Sequence, residues 1–395
     1  MTDPVIAGVG MTPFGKYPNT SLGDLASGAV EFALLDARMT TSDVGIVFFA
    51  NASAGVVTGQ EMIRGQISLQ HTGLLGTPIV NVENACASSS SAVHLARLAV
   101  LSGAYEVALV VGAERLTHPT DRQRPFAALA TGADVSRREE FEGALGGGGG
   151  SFFMDVYADI ARRYMAASGA TERDFAQVAV KNHRHGSLNP KAQYRNLVTV
   201  EEVLASRVIS EPLTLLMCSP IGDGAAAVVV CSPEAARRHG ADAVRLRASA
   251  LVSGVVDEKS VPSPAERAAR RAYEQAGIRP ADVDVVEVHD ASAPAELVVY
   301  EELGLCESGA GPTHLASGAT SLGGRQPVNV SGGLLSKGHP VGATGCAQIV
   351  ELVEQLRGRC GDRQVDGARI ALAENAGGFL NPDAAAAVVT ILSKD

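Results

Sequence analysis

The chain has no tryptophan, and its aromatic residues amount to 4% of 395 positions. That scarcity argues against a platform for stacking bases or sugars. It also lacks any run of Lys and Arg, and 43 acidic against 33 basic residues leave a formal charge of −10, so no nucleic-acid partner is expected. The six cysteines show no Cys-x-x-Cys spacing, which argues against a zinc ribbon, another metal site or a disulfide framework. No apolar stretch is long enough for a membrane span: Leu95–Val111 comes nearest, and Arg97 and Glu106 interrupt it. The first ten residues have neither a basic region nor a long apolar core, so no signal peptide is expected. There is no Gly-x-Gly-x-x-Gly or Walker motif, and the glycine run 146–150 resembles a phosphate cradle only superficially. These absences describe a chain expected in the reducing cytoplasm, without metal, membrane or nucleic acid.

What is present is apolar and small: 46% hydrophobic residues and 43 glycines suit tightly packed layers around a large core. Two stretches repeat one pattern. Ala33–Val47 reads as helix end, turn and strand, and Ala272–Val286 reads the same way. Then Pro78–Val82 leads through a turn into a helix over Ala92–Leu101 and a strand over Val107–Gly112. Pro327–Val330 leads through a Gly-rich turn into a helix over Gly345–Leu356 and a strand over Ile370–Glu374. Agreement of two blocks in order predicts an internal duplication. Apolar runs such as Ala225–Val230 suit strands covered on both faces. The chain is therefore expected to form two similar α/β halves, 1–240 and 241–395. The segment from about 115 to 210 has no counterpart in the second half and is expected to be a lid or channel wall.

Cys86 lies in Asn81-Val-Glu-Asn-Ala-Cys86-Ala-Ser, where a strand breaks into a helix. A helix N-terminus favours a thiolate, so a nucleophile of lowered pKa is expected. His339 lies in Asn329-Val-Ser-Gly-Gly-Leu-Leu-Ser-Lys-Gly-His339-Pro, the equivalent turn of the second half. Small residues on both sides let a ligand approach, and the imidazole is suited to act as general base or as hydrogen-bond donor to a thioester oxygen. Ser331 and Gly332 of the same loop are expected substrate contacts, as is His183 of the covering segment. His289 follows a strand over Val283–Val288, at the end where open α/β sheets place ligands, with Asp290 or Ser292 a candidate helix cap. Asn375, Gly377 and Gly378 are expected in a turn after the last strand of the repeat, with backbone N–H groups available as an oxyanion hole.

Together, Gly8-Val-Gly-Met-Thr-Pro-Phe-Gly15, the Cys86 turn, Cys218-Ser-Pro-Ile-Gly-Asp-Gly224, His289-Asp290 and Gly338-His339-Pro-Val-Gly-Ala-Thr-Gly345 resemble motifs of the thiolase superfamily over nearly the full length. The nearest branch is the sterol-carrier-protein-type and archaeal acetyl-CoA acetyltransferases. The resemblance implies a five-layered αβαβα fold of two duplicated halves with a covering loop domain, a homodimer, and a coenzyme A thioester as substrate with no resident cofactor. It implies Cys86 as the acylated nucleophile and His339 with His289 as the oxyanion site.

The departures are as informative. Thiolases move the α-proton of the thioester with a second Cys. Most carry it in Cys-x-Gly, where this chain has Asn375-Ala-Gly377; the nearer branch carries it in His-Asp-Cys, where this chain has Ala291. Both positions are empty. Family members that form carbon–carbon bonds by decarboxylation need no such thiol, which favours acyl transfer from Cys86 to a carbon nucleophile. Two alternatives stay open. One is a retro-aldolase on coenzyme A-linked steroid side chains, with Tyr300 a candidate residue. The other is a coenzyme A-ester-binding subunit that works only with a separate OB-fold and zinc-ribbon partner.

Overall fold

A computed structural model describes residues 2–145, 151–256, 258 and 260–394; the glycine run 146–150 lies outside them. In chain order the strands are β1 (Val5–Met11), β2 (Ile46–Ala50), β3 (Ile79–Val82), β4 (Val107–Arg115), β5 (Val208–Ser210), β6 (Leu213–Thr214), β7 (Asp223–Cys231), β8 (Val244–Ser253), β9 (Val285–Glu287), β10 (Ile370–Gly377) and β11 (Ala386–Ser393). Nine of them form one sheet in the order β3-β2-β4-β7-β1-β8-β11-β10-β9. The order is palindromic in role. On one side of the β1–β8 seam, β1, β7, β4, β2 and β3 follow outward. On the other, β8, β11, β10 and β9 follow, with Val328 bridging Val286 where the first half has β3. The seam itself is short, Val5 opposite Arg245 and Ile6 opposite Val244.

Five layers result. The helices Ser88–Leu101 and Thr344–Leu356 pack on each other and on strands from both parts of the sheet, so they form the middle layer. Leu22–Ala37 covers β1, β4 and β7 from outside, and Pro264–Ala276 covers β8 and β11. Local signals set these ends. Ser21 and Asp24 cap one outer helix reciprocally, while Ser263 caps the other, with Pro264 in its first turn and Gly277 past its end at φ 62°. Sandwiching removes water from both faces of most strands: β7 is buried at every position.

The structure adjusts three sequence boundaries. The middle helix begins at Ser88, ahead of Ala92, because Ser88–Ser91 are buried and the hydroxyls of Ser88, Ser89 and Ser91 are hydrogen-bonded, despite poor helix propensity. The β9 strand is shorter than Val283–Val288. The β10 strand runs on to Gly377, which is paired with Ala386, so Asn375 and Gly377 are strand residues and not a turn. The covering segment is largely helical: Phe152–Ser168 packs on Ala293–Glu302, and Glu172–Ser187 on Gly333–Lys337. Phe141 and Phe152 meet Phe379 at centroid distances of 5.6 and 6.3 Å, which ties the segment to the turn after β10.

Close packing of β1 against its helix requires glycine. A Cβ on Gly10 would lie 2.5 Å from the Ala33 nitrogen, and one on Gly8 2.3 Å from the Ala33 carbonyl. Gly10→Val should therefore destabilise the protein by at least ~1–3 kcal/mol, the usual cost of overpacking. Equilibrium urea unfolding would measure it, and an unchanged midpoint would show that the helix can retreat freely.

Candidate active site

The nucleophile turn is built by its neighbours. Ala85 adopts φ 48°, unusual for a residue with a Cβ. Its N–H donates to Glu83 Oε1 at 2.6 Å, and its carbonyl accepts from Ser88 Oγ at 2.6 Å. Asn84 donates to Ser91 Oγ at 2.9 Å. The serine run thus pins the turn and Cys86 leads the 3-10 turn Ala85–Ala87 into the helix. Gly377 lies against it: a Cβ there would stand 2.3 Å from the Asn84 carbonyl and 2.9 Å from the Cys86 nitrogen.

The equivalent turn brings His339 to meet it. His339 Nε2 is 3.3 Å from Cys86 Sγ, and His339 Nδ1 is 2.7 Å from Thr344 Oγ1. Thr344 donates its only hydroxyl proton to the Pro340 carbonyl at 3.0 Å. Its oxygen therefore accepts from Nδ1–H, which leaves the Nε2 lone pair facing the thiol. His289 completes the group, its ring 5.2 Å from that of His339 at 71°. Its Nε2 is buried with no hydrogen-bond partner. Cys86 Sγ and a ring nitrogen of each of His289 and His339 lie within 4.8 Å of one another.

Burial governs the electrostatics. It pushes the Cys86 thiol up to about 12, with the Glu114 and Glu83 charges adding to the rise. The N–H groups of Cys86 and Gly378, directed at the sulfur, offset this only in part. This corrects the expected lowered thiol: a helix end contributes ~0.3–1 kcal/mol, and desolvation of a buried charge outweighs it. Burial also holds His289 down to about 4 and His339 well below its ordinary value, His289 and Lys337 adding to the latter. The resting site is a thiol between two neutral imidazoles.

Two cavities adjoin it, with Phe153 in the wall of both. One, of about 230 Å³, reaches Cys86 past Ala85, Gly132 and Val341. The other, of about 340 Å³, is lined by His289, Glu374, Gly378, Tyr157, Val298 and Phe379 among others, and is mostly apolar. The covering helix Phe152–Ser168 forms much of its wall.

Several expected contacts do not face this space. Ser331 gives its N–H and hydroxyl to Glu287, and its carbonyl accepts from Asn189. Gly332, at φ 104°, packs so closely on Gly186 that a Cβ would come within 2.7 Å of its Cα. His183 Nδ1 is 3.1 Å from the Asn196 carbonyl. These three belong to the scaffold, as does Tyr300, fully buried with its hydroxyl on Glu296. Asp290 does not cap its own helix; it accepts from the N–H groups of Leu334 and Leu335, in the helix Gly333–Lys337, and from Asn182 Nδ2. Ser292 does precede that helix, and its hydroxyl has no partner. Asn375 is buried on the strand face it shares with Gly377, and neither amide atom is paired.

The sequence reading missed the buried carboxylates that hold the His339 loop. Glu114 accepts from Ala52 N, Ser53 N and Gly342 N at 3.0, 3.2 and 3.0 Å. Glu287 accepts from Lys337 Nζ at 3.1 Å, and Glu296 from Lys181 Nζ at 2.6 Å and Asn329 Nδ2 at 2.7 Å. Acidic residues scattered through strands and helices carry no motif; only the expectation that a buried charge has partners would have singled them out.

With the thiol this high, iodoacetamide alkylation of Cys86 should keep accelerating from pH 7 to pH 10, read by peptide mass. A plateau by pH 8 would mean a lowered thiol and would overturn the account of burial.

The chain is similar to known proteins over nearly all of its length. Residues 4–234 match the model described as Thiolase, N-terminal domain, and residues 253–394 the model described as Thiolase C-terminal domain-like. Acetyl-CoA acetyltransferase of Methanothermobacter thermautotrophicus is 40% identical over 96% of this chain and 97% of its own length. Benzoylsuccinyl-CoA thiolase subunit BbsB of Thauera aromatica is 38% identical over 94% of each. A solved structure described as Ltp2-ChsH2(DUF35) aldolase superposes with a TM-score of 0.82 at 27% identity, covering all of this chain and 98% of that one. Two domain models that together match most of the chain, and a relative 40% identical over 96% of it, place it in the thiolase family.

Proposed function

We propose that this thiolase-family acyltransferase forms an acyl-enzyme on Cys86 from a coenzyme A or other thioester and passes the acyl group to a carbon nucleophile. The observation that carries the reading is the oriented pair, a thiol 3.3 Å from an imidazole nitrogen whose other nitrogen is committed to Thr344. As the thioester enters, the Cys86 proton passes to His339 Nε2 and the sulfur attacks the carbonyl carbon. The oxyanion accepts hydrogen bonds from the Cys86 and Gly378 N–H groups, now directed at the sulfur region, and from the unpartnered His289 Nε2 as donor. The carbon–sulfur bond to coenzyme A breaks, and the leaving thiolate takes the proton held on His339. Carbon–carbon bond formation follows, by decarboxylation or by loss of an α-proton. The high resting thiol suits this order, because the neutral pair becomes an ion pair only when an electrophile is present.

The same proposal reads residues 1–240 and 241–395 as the two halves, with about 115–210 covering the cavity. It places the protein in the cytoplasm. No helix among the described residues is long and apolar enough to cross a membrane. It also includes a homodimer. The edge strand β3 is open on one side, and Val80, Ile67, Ile63 and Met62 are exposed around it. Val80→Glu should then shift the protein toward monomer in sedimentation equilibrium, and an unchanged mass would remove this face as the interface. The alternative, a coenzyme A-ester-binding subunit that works only with a separate small OB-fold and zinc-ribbon partner, draws on the DUF35 component named in the aldolase structure.

Intact mass after incubation with acetyl-, propionyl-, malonyl- and longer acyl-CoA esters tests the central claim. The expected result is a mass gain that is absent in Cys86→Ala and slowed by about 10²–10⁴ in His339→Ala, the range for general acid–base catalysis. A gain that persists in Cys86→Ala overturns the acyl-enzyme. Cleavage of an aldol-type coenzyme A ester by Cys86→Ala would favour the retro-aldolase. Acylation only after a DUF35-type chain is added would make this chain a partner-dependent subunit.

A further inference from the structure

The acyl transfer above leaves one proton without a carrier. A carbon nucleophile made from a thioester, with no carbon dioxide to lose, must give up an α-proton, and Ala291 and Asn375 offer no thiol to take it. Three carboxyls line the adjoining cavity, Glu302, Glu374 and Asp383, and Glu374 is the one hydrogen-bonded to His289. Glu374 is fully buried on β10, one residue before Asn375. Strand alternation turns Glu374, Ala376 and Gly378 onto the cavity that His289 lines, while Asn375 and Gly377 face the nucleophile turn. Glu374 Oε2 accepts the backbone N–H of His289 at 3.0 Å, which fixes the carboxyl beside that residue. Its Oε1 is buried and has no partner. A buried polar atom left open is costly, and an atom open toward a ligand cavity is placed to meet a ligand.

We propose that Glu374 is the general base that removes the α-proton of the acceptor thioester, in place of the thiol that this chain lacks. The inference rests on the acyl-transfer reading for the fate of the carbanion. The α C–H bond breaks, its proton goes to Glu374 Oε1, and its electron pair forms an enolate whose oxygen accepts from His289 Nε2–H. The enolate carbon attacks the carbonyl of acyl-Cys86. The carbon–carbon bond forms, the carbon–sulfur bond breaks, and the Cys86 thiolate takes up a proton while Glu374 releases one to solvent.

The surroundings suit a base. Burial brings Glu374 to about 7, so that it is part-ionised near neutrality. The cavity presents Tyr157 and Arg163 from the covering helix, Glu302 from the helix Ala293–Glu302, Asp383 from the turn after β10, and His289. Burial holds Glu302 higher still, at about 8, so it is mostly neutral when Glu374 ionises. His289, held down to about 4, is neutral as well.

The test is deuterium wash-in at the α-carbon of acetyl-, propionyl- and butyryl-CoA in D2O, followed by mass spectrometry, with Cys86 acylation followed separately. The wild type should exchange, with a rate that rises through about pH 7. Glu374→Gln, which keeps an acceptor for the His289 N–H, should lose at least about 100-fold in exchange while acylating Cys86 within a few-fold. Glu374→Asp should recover part of the exchange, and unchanged circular dichroism would show both variants folded. Acylation with no exchange, or exchange indifferent to Glu374→Gln, overturns the inference. Exchange that needs Glu374 in a protein that never acylates Cys86 overturns the acyl-transfer reading and leaves Glu374 as the base.

Discussion

The Glu114 carboxylate is the contact on which the site depends. It leaves the end of β4 in the first half and accepts N–H groups from Ala52 and Ser53 on one side and from Gly342, in the His339 loop of the second half, on the other. A carboxylate taken out of water costs several kcal/mol unless its lone pairs are filled, and backbone N–H groups together with Asn51 Nδ2 and the Ser53 hydroxyl fill them here without a countercharge. One carboxylate shared between donors from both halves ties the two loops together. The same charge reaches the nucleophile: after burial, Glu114 is the largest influence raising the Cys86 thiol. One residue thus fixes where His339 stands and keeps the thiol protonated until His339 takes its proton.

Glycine makes that contact possible. A Cβ on Gly112 would lie 2.5 Å from the Gly342 carbonyl, and one on Gly345 2.6 Å from the Ser90 nitrogen. The two middle helices therefore approach backbone to backbone at their N-terminal ends, where Cys86 and His339 sit. Larger residues would separate the helices and lengthen the 3.3 Å contact between thiol and imidazole. The abundance of glycine that suggested packed layers is, at these positions, a condition for the catalytic distance.

Much of this was legible in the chain. Cys86, His289 and His339 each sit in a turn flanked by small residues, and repetition of one helix-turn-strand pattern placed the Cys86 and His339 turns opposite each other. The layered architecture followed from the same repeat and from apolar strands without alternation. What sequence could not give were interactions set by long-range packing. Ser331 and His183 read as polar residues near the site, yet in the fold Glu287 and the Asn196 carbonyl consume them. The thiol was expected to be acidic from its helix end, and burial, which no local pattern reports, reverses the sign. Glu374 looked like a strand residue beside Asn375; only the pleat shows that it faces the cavity and that Asn375 does not.

That last distinction bears on the chemistry. Replacement of a thiol base by a carboxyl is not a neutral exchange. A buried thiol here lies near 12, as Cys231 and Cys346 show, and is a strong base available only as a thiolate. A buried carboxyl near 7 is part-ionised at neutral pH without a partner to take its proton first. It is correspondingly the weaker base, so the enolate must be stabilised more by its surroundings. His289, neutral, lining the same cavity and with an unpaired Nε2, is the group placed to do so. The loss of both second-Cys positions and the retention of His289 are then parts of one arrangement, in which proton removal relies less on the base and more on the hydrogen bond that receives the charge.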